Sequence, residues 1–229
     1  MPDIRDPAAA GGAALDHLVL AVPDLAAATE DLTRRTGVVP VSGGAHPGRG
    51  TRNALVGLRW RGSERCYLEL LGPDPGQSEV PVQDTMLGLG HLGPGFTTRM
   101  HGWAVQPQDL GTTLTRARSL GIDVGEPMAA SRVTPAGTPL SWRMAVPHPL
   151  GLGGVQPFLV DWRGHAHPSD DPLPVLDLLD LRLQHPDPAR ARQVLGALGA
   201  EGEVGTGRTP QVVATFSTPA GTVVLGAPD

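Results

Sequence analysis

The sequence predicts an α+β protein in which tandem β-α-β-β-β modules form a curved, cup-like mixed sheet with helices outside and a third, partial module at the C-terminus. Two observations carry this reading. A strand followed by Pro, Asp and a helix occurs three times, with Asp24, Asp109 and Asp187 as landmarks. Each helix stops at a glycine, Gly37, Gly121 or Gly199. Recurrence of one supersecondary unit marks an internal repeat. One such unit leaves a sheet face bare, so two side by side enclose a concave cup.

In the first unit a strand spans His17 to Val22, with Asp24 as helix N-cap and Leu25, Ala28 and Leu32 on one helix face. A short strand from Val38 to Val41, a Gly/Pro loop from Ser42 to Thr51 and strands Asn53 to Trp60 and Cys66 to Leu71 complete it. A flexible-looking stretch, Pro73 to Thr98, leads to the second unit. There the strand is His101 to Gln106, and the helix carries Leu110, Leu114, Ala117 and Leu120. Strands follow around Asp123 to Met128, Leu140 to Val146 and Phe158 to Trp162. The third unit has a strand from Leu179 to Gln184 and a helix announced by Asp187 and Pro188, bearing Ala191, Val194, Leu195 and Leu198. Strands Val212 to Ser217 and Thr222 to Leu225 end it. The expected division is a tail over 1–14, modules over 15–98 and 99–168, and a β-α-β-β unit over 169–229.

The 229 residues carry 18 basic side chains, all Arg, against 23 acidic ones, a formal charge of -5. That balance supplies no footprint for nucleic acid or an anionic membrane, and a small-molecule ligand is the expected partner. No run approaches the roughly 18 apolar residues of a membrane span. Cys66 is the single cysteine, and the N-terminal stretch has acids where a signal peptide needs a basic flank, so a cytoplasmic location is expected. No GxSxG elbow and no GxxxxGK[ST] phosphate loop occurs.

Chemistry concentrates in the first unit. Strand alternation puts His17, Val19 and Ala21 on one face. Glu69 sits inside the apolar run Tyr67 to Leu71, where an unpaired carboxylate would cost several kcal/mol, so it needs a metal, an Arg or water. Cys66 faces away from Glu69 in the same alternation and reads as core. The loop SGGAHPGRGTRN gathers His46, Arg49, Arg52 and Asn53 between glycines; it is either a solvated connection or a ligand-facing rim with guanidinium groups suited to anions. His165 and His167, an HxH pair close to Asp161, have the spacing of a separate metal site but read first as exposed residues of a linker; His185 reads as a turn residue, and His91 and His148 as loop residues. Trp60, Trp103, Trp142 and Trp162 fall on strands, where they either pack in the core or line a cup.

The segments LDHLVLAVPDLAAA from Leu15, GGAHPGRGTRN from Gly43, YLELLGPDP from Tyr67 and FLVDW from Phe158 resemble the glyoxalase-like branch of the vicinal-oxygen-chelate superfamily, over about residues 15–168. The resemblance implies a cup holding a divalent metal through His, Gln or Glu from the first and last strands of each module, chelating neighbouring substrate oxygens. Carried over, it makes His17 and Glu69 metal ligands. His101 becomes a third if one residue is inserted before Asp109, and otherwise Gly102 takes that place. Val160 aligns with Glu69, and Asp161 is one residue out of phase. Glu69 would double as the catalytic proton carrier, and His46, Arg49, Arg52 and Asn53 would bind substrate, with His46 favoured as ligand-facing by the family match. The implied function is a metal-dependent enzyme of lyase, isomerase or dioxygenase type acting on a small oxygen-rich substrate. Its rival is a metal-free protein that sequesters a small molecule, in which His17 and Glu69 bond each other or Arg52. Members often pair modules between chains, so the resemblance leaves room for a homodimer.

Overall fold

A computed structural model describes residues 12–134, 137–162 and 164–226; most of the expected tail lies outside them. The first module runs β1 (Ala14–Ala21), α1 (Leu25–Thr36), β2 (Val41–His46), β3 (Thr51–Trp60) and β4 (Ser63–Pro73). Asp24 caps α1 by accepting from the Ala26 and Ala27 N–H groups, and Gly37 ends it in the left-handed conformation at φ 75°. The last strand, β4, returns beside β1 in parallel and pairs antiparallel with β3, while β2 lies outside β3. The second module repeats that wiring with β5 (Arg99–Gln106), α2 (Leu110–Ser119), β6 (Pro127–Val133), β7 (Pro139–Ala145) and β8 (Phe158–Asp161). An antiparallel seam of β1 with β5 joins the two modules.

The third unit is β9 (Val175–His185), α3 (Pro188–Leu198), β10 (Glu203–Thr206), β11 (Gln211–Thr218) and β12 (Gly221–Leu225). It has the short strand β10 that the sequence did not announce, and its wiring differs: β9 pairs with both β10 and β11. Through Val175 to Asp177, β9 also pairs with Gly57 to Arg59 of β3, so the unit widens the first module's side of one continuous sheet.

Three further expectations are corrected. The segment Ser42 to Thr51 is mostly a hairpin, because β2 runs to His46 and pairs with β3 from Thr51 to Leu55, with a register shift at Gly43. Its glycines disguise a strand; Gly43 is small because a Cβ there would collide with the Asn53 side chain. The stretch Pro73 to Thr98 is not a loose linker. It folds into short 3₁₀ turns, and the turn Met86–Leu92 buries Met86, Leu87 and Leu89 over the cup, with Leu87 at φ 52°. β6 begins at Pro127, near the end of the expected strand, since Ile122 and Val124 go into the core as connection rather than ladder.

Apolar side chains divide between the two sheet faces. Leu18, Leu20, Leu68, Leu70 and Trp103 pack beneath the helices with Leu114 and Leu198. Val19, Ala21, Leu71, Ala104, Phe158 and Trp162 line the concave face. No described helix is long and apolar enough to cross a membrane.

Candidate functional site: a buried carboxylate in the cup

Parallel pairing sets Val19 beside Glu69 and His17 beside Tyr67, so His17 and Glu69 rise from the same face of neighbouring strands. Glu69 is 5 % exposed, and its Oε2 lies 3.8 Å from His17 Nε2. Its Oε1 accepts a 2.6 Å hydrogen bond from Asn53 Nδ2 and lies 3.8 Å from His46 Nε2. Both imidazoles are anchored from behind. His46 Nδ1 is 2.8 Å from Thr51 Oγ1, and His17 Nδ1 is 2.6 Å from Asp16 Oδ1. His17 also stacks on Tyr67, with ring centroids 4.7 Å apart, and meets the edge of Phe158 at 5.3 Å.

Asp16 is the hub behind His17. Its Oδ2 accepts from Trp162 Nε1 at 2.8 Å and lies 3.4 Å from His167 Nε2. Burial alone would push this carboxyl up, but the His167 and His17 rings hold it well below the usual carboxylate range, so Asp16 is an anion. For His46 the largest effect is burial, which lowers its pKa; Glu69 pulls it back up and Arg132 pushes it further down.

These side chains surround an inner cavity of about 30 Å³, whose other walls include Leu87, Arg132, Trp142, Met144 and Phe158. The space is of the order of one water molecule. His46, Met86 and Trp142 belong also to an outer groove of about 420 Å³, lined in addition by Arg49, Ser131, Ser141, Arg143 and His165. A ligand of modest size in the groove can thus extend one small group toward Glu69.

The structure brings together His17, Glu69, His46 and Asn53, and sets Arg49 in the groove. Arg52 is elsewhere: between buried Thr51 and Asn53, alternation turns it to solvent, and Asn53 rather than Arg52 holds Glu69. His101 is also elsewhere. The β1–β5 ladder shifts register where Gly102 pairs with Val19 and Met100 with Leu20, which leaves His101 out of step. Its Nε2 lies 2.9 Å from the Leu87 carbonyl oxygen, in a separate cavity shared with His91 and His148. His167, expected as an exposed linker residue, is 1 % exposed and belongs to the Asp16 hub. Trp142 and Trp162 face the cup, whereas Trp103 sits in the outer core and donates to the Val155 carbonyl at 2.9 Å.

Sequence reasoning missed Asp16, Arg132 and His167. Asp16 had a signal, an acid embedded in the apolar strand beside His17. Arg132 had none, since its strand was placed elsewhere.

A metal held from both modules does not fit this donor set. On β5 and β8, the first and last strands of the second module, the cup-facing side chains are Ala104, Phe158 and Val160, with Gly102 two residues from Ala104, and none offers a ligand atom. Asp161 pairs with Arg143 at 2.7 Å. Glu69 already has a protein donor in Asn53, and a guanidinium, Arg132, shares its cavity. Among the described residues no three His, Cys, Asp or Glu side chains are grouped to hold a metal ion.

The family profile of the glyoxalase-like domain matches residues 15–199. The chain belongs to this family. The match extends past both modules to Gly199, the C-cap of α3, so the glyoxalase-like unit includes the start of the third repeat. No functionally curated protein matches the sequence. Among solved structures, a hypothetical protein from Staphylococcus aureus shares the fold with a TM-score of 0.64 at 13 % identity, over 86 % of this chain and 88 % of that one. Methylmalonyl-CoA epimerase from Mycobacterium tuberculosis has 20 % identity and a TM-score of 0.39, over 64 % of this chain and 85 % of its own. A mutant 4-hydroxymandelate synthase from Streptomyces coelicolor has 13 % identity and a TM-score of 0.48, over 93 % of this chain and 63 % of its own. The last two are distant likenesses from which no activity passes to this glyoxalase-like chain.

Proposed function

We propose that this glyoxalase-like protein is an enzyme that moves a proton at a carbon flanked by oxygen-bearing groups of a small substrate, with Glu69 as the proton carrier. One observation carries the reading: a carboxylate fixed at Oε1 by Asn53 lines a small inner cavity that shares His46, Met86 and Trp142 with a ligand-sized groove. A positioned base of this kind contributes about 10²–10⁴ in rate. In the reaction Glu69 would take the proton from carbon as the C–H electron pair moves onto the adjacent carbonyl to form an enolate, and returning the proton would complete an isomerisation. His17 is the relay partner. Asp16 fixes its Nδ1, so Nε2 is the nitrogen turned toward Glu69.

The donors present do not fit the metal that the family resemblance implies, and the proposed chemistry uses no step through an ion. The substrate is a small molecule, and the one buried thiol, Cys66, suits a reducing cytoplasm. Proton NMR in D₂O tests the proposal: 2-oxo acids, 2-hydroxy acids and malonyl thioesters are screened for exchange of the carbon-bound hydrogen in the presence of EDTA. The expected result is exchange with the wild type and none with Glu69→Gln; exchange that survives the substitution sinks the reading. A second reading, sequestration, is favoured by Trp142, which lines both cavity and groove and lies 5.1 Å from Trp162. Ligands that quench tryptophan fluorescence without any exchange would establish it.

A further inference from the structure

Arg132 stands on β6, the strand at the edge of the second module, yet only 4 % of it is exposed. The reason is that the cup closes at this point. β2 and β6 approach so nearly that a Cβ on Gly44 would lie 3.0 Å from the Val133 carbonyl oxygen. Across that junction Arg132 Nη1 donates to the carbonyl of Gly43, and the rest of the side chain walls the inner cavity with Glu69, His46 and Asn53.

A guanidinium has five N–H donors in a planar fork, and among the described residues this one donates to a single acceptor, the Gly43 carbonyl. Among the described residues it makes no ion pair. The buried carboxylate that shares its cavity, Glu69, is engaged otherwise, with Asn53 and the histidines. Arg143, on the neighbouring strand, has Asp161 at 2.7 Å. A buried cation without a carboxylate is costly, and the cost is relieved when an anion enters. On the opposite wall Ala104, Phe158 and Val160 carry no charge, and the second module's Arg143 lines the outer groove, where it pairs with Asp161.

We propose that Arg132 is an oxyanion site: it holds a negatively charged oxygen of the substrate, a carboxylate or the enolate formed from the neighbouring carbonyl, beside Glu69. This rests on the proton-transfer reading and narrows its substrate class to small carboxylates whose charged oxygen adjoins the acidic carbon. In this chain the guanidinium occupies the electrostatic role that a metal ion would fill in a cup with ligands on both modules. Preorganised charge of this kind stabilises developing oxyanions in a water-poor site.

The test is calorimetric titration with oxalate, a planar dianion with adjacent oxygens, on EDTA-treated protein. Wild type is expected to bind it without added metal, and Arg132→Gln to bind it at least about tenfold more weakly, the loss of a charge-assisted hydrogen bond. Arg132→Lys keeps the charge without the fork and is the variant that decides if Arg132→Gln does not fold; binding at least about threefold weaker is expected. Equal affinity of a folded Arg132→Gln or Arg132→Lys and the wild type, or oxalate binding only after divalent ions are restored, overturns the proposal. Carbon–hydrogen exchange by the wild type separates the two readings. If wild type shows no carbon–hydrogen exchange while oxalate still binds through Arg132, the proton-transfer reading falls and the oxyanion site stands.

Discussion

Asp16 and His17 are neighbours in one strand, yet Asp16 Oδ1 lies 2.6 Å from His17 Nδ1. Regular alternation would send the two side chains to opposite faces. The β1–β5 ladder skips a residue between Leu15 and His17, and this bulge at Asp16 swings its carboxylate under the His17 ring, where Trp162 and His167 meet it.

Asp16→Asn should therefore be more damaging than its size suggests. It removes the anion shared by His17 and His167 and leaves buried polar atoms poorly matched, a loss of about 1–3 kcal/mol. Urea denaturation should show the midpoint falling. Because the Asp16 carboxyl is held below its ordinary value of 3.8, its contribution is present at neutral pH and fades as pH drops below that value. A midpoint unchanged at pH 7 would remove Asp16 from the hub.

Glu69→Gln keeps the shape and the Asn53 contact through the remaining carbonyl oxygen. Thermal stability should change little, whereas carbon–hydrogen exchange should fall by about 10² or more. A comparable fall in both would mean that Glu69 is holding the cup together rather than carrying protons.

His46 gives a pH signature of its own. Its folded pKa is depressed by burial below 6.5, so as pH falls through 6.5 the unfolded chain takes up a proton before the folded one does. Stability should decline between pH 7 and 5. His101, lowered by burial as well, contributes in the same direction, so His46→Gln should flatten this decline only in part. The observation is the slope of unfolding free energy against pH in the two proteins.

Arg49 and Arg52 should separate cleanly. Arg49 borders the outer groove, so Arg49→Ala should weaken an anionic ligand such as oxalate a fewfold, with the difference shrinking as salt is raised. Arg52 faces solvent, and Arg52→Ala should bind as wild type does. Equal losses in both variants would mean that long-range charge alone attracts the ligand.

By itself the sequence determined the repeat, the three helices and most of their caps, because N-cap Asp, C-terminal Gly and the apolar stripe act within a few residues of one another. It also determined that His17 and Glu69 share a face, since alternation on two apolar strands is local and the strands were legible. Only the tertiary structure decided the rest of the site. Bulges in the β1–β5 ladder turned Asp16 inward and put His101 out of step, and a bulge is a property of the pairing rather than of either strand. The hairpin that delivers His46 and Asn53 was hidden by its glycines, which packing against Asn53 requires. Arg132 and His167 reach the cup from elements far along the chain, so their burial depends on closure of the whole sheet, and nothing in their own neighbourhoods announced it.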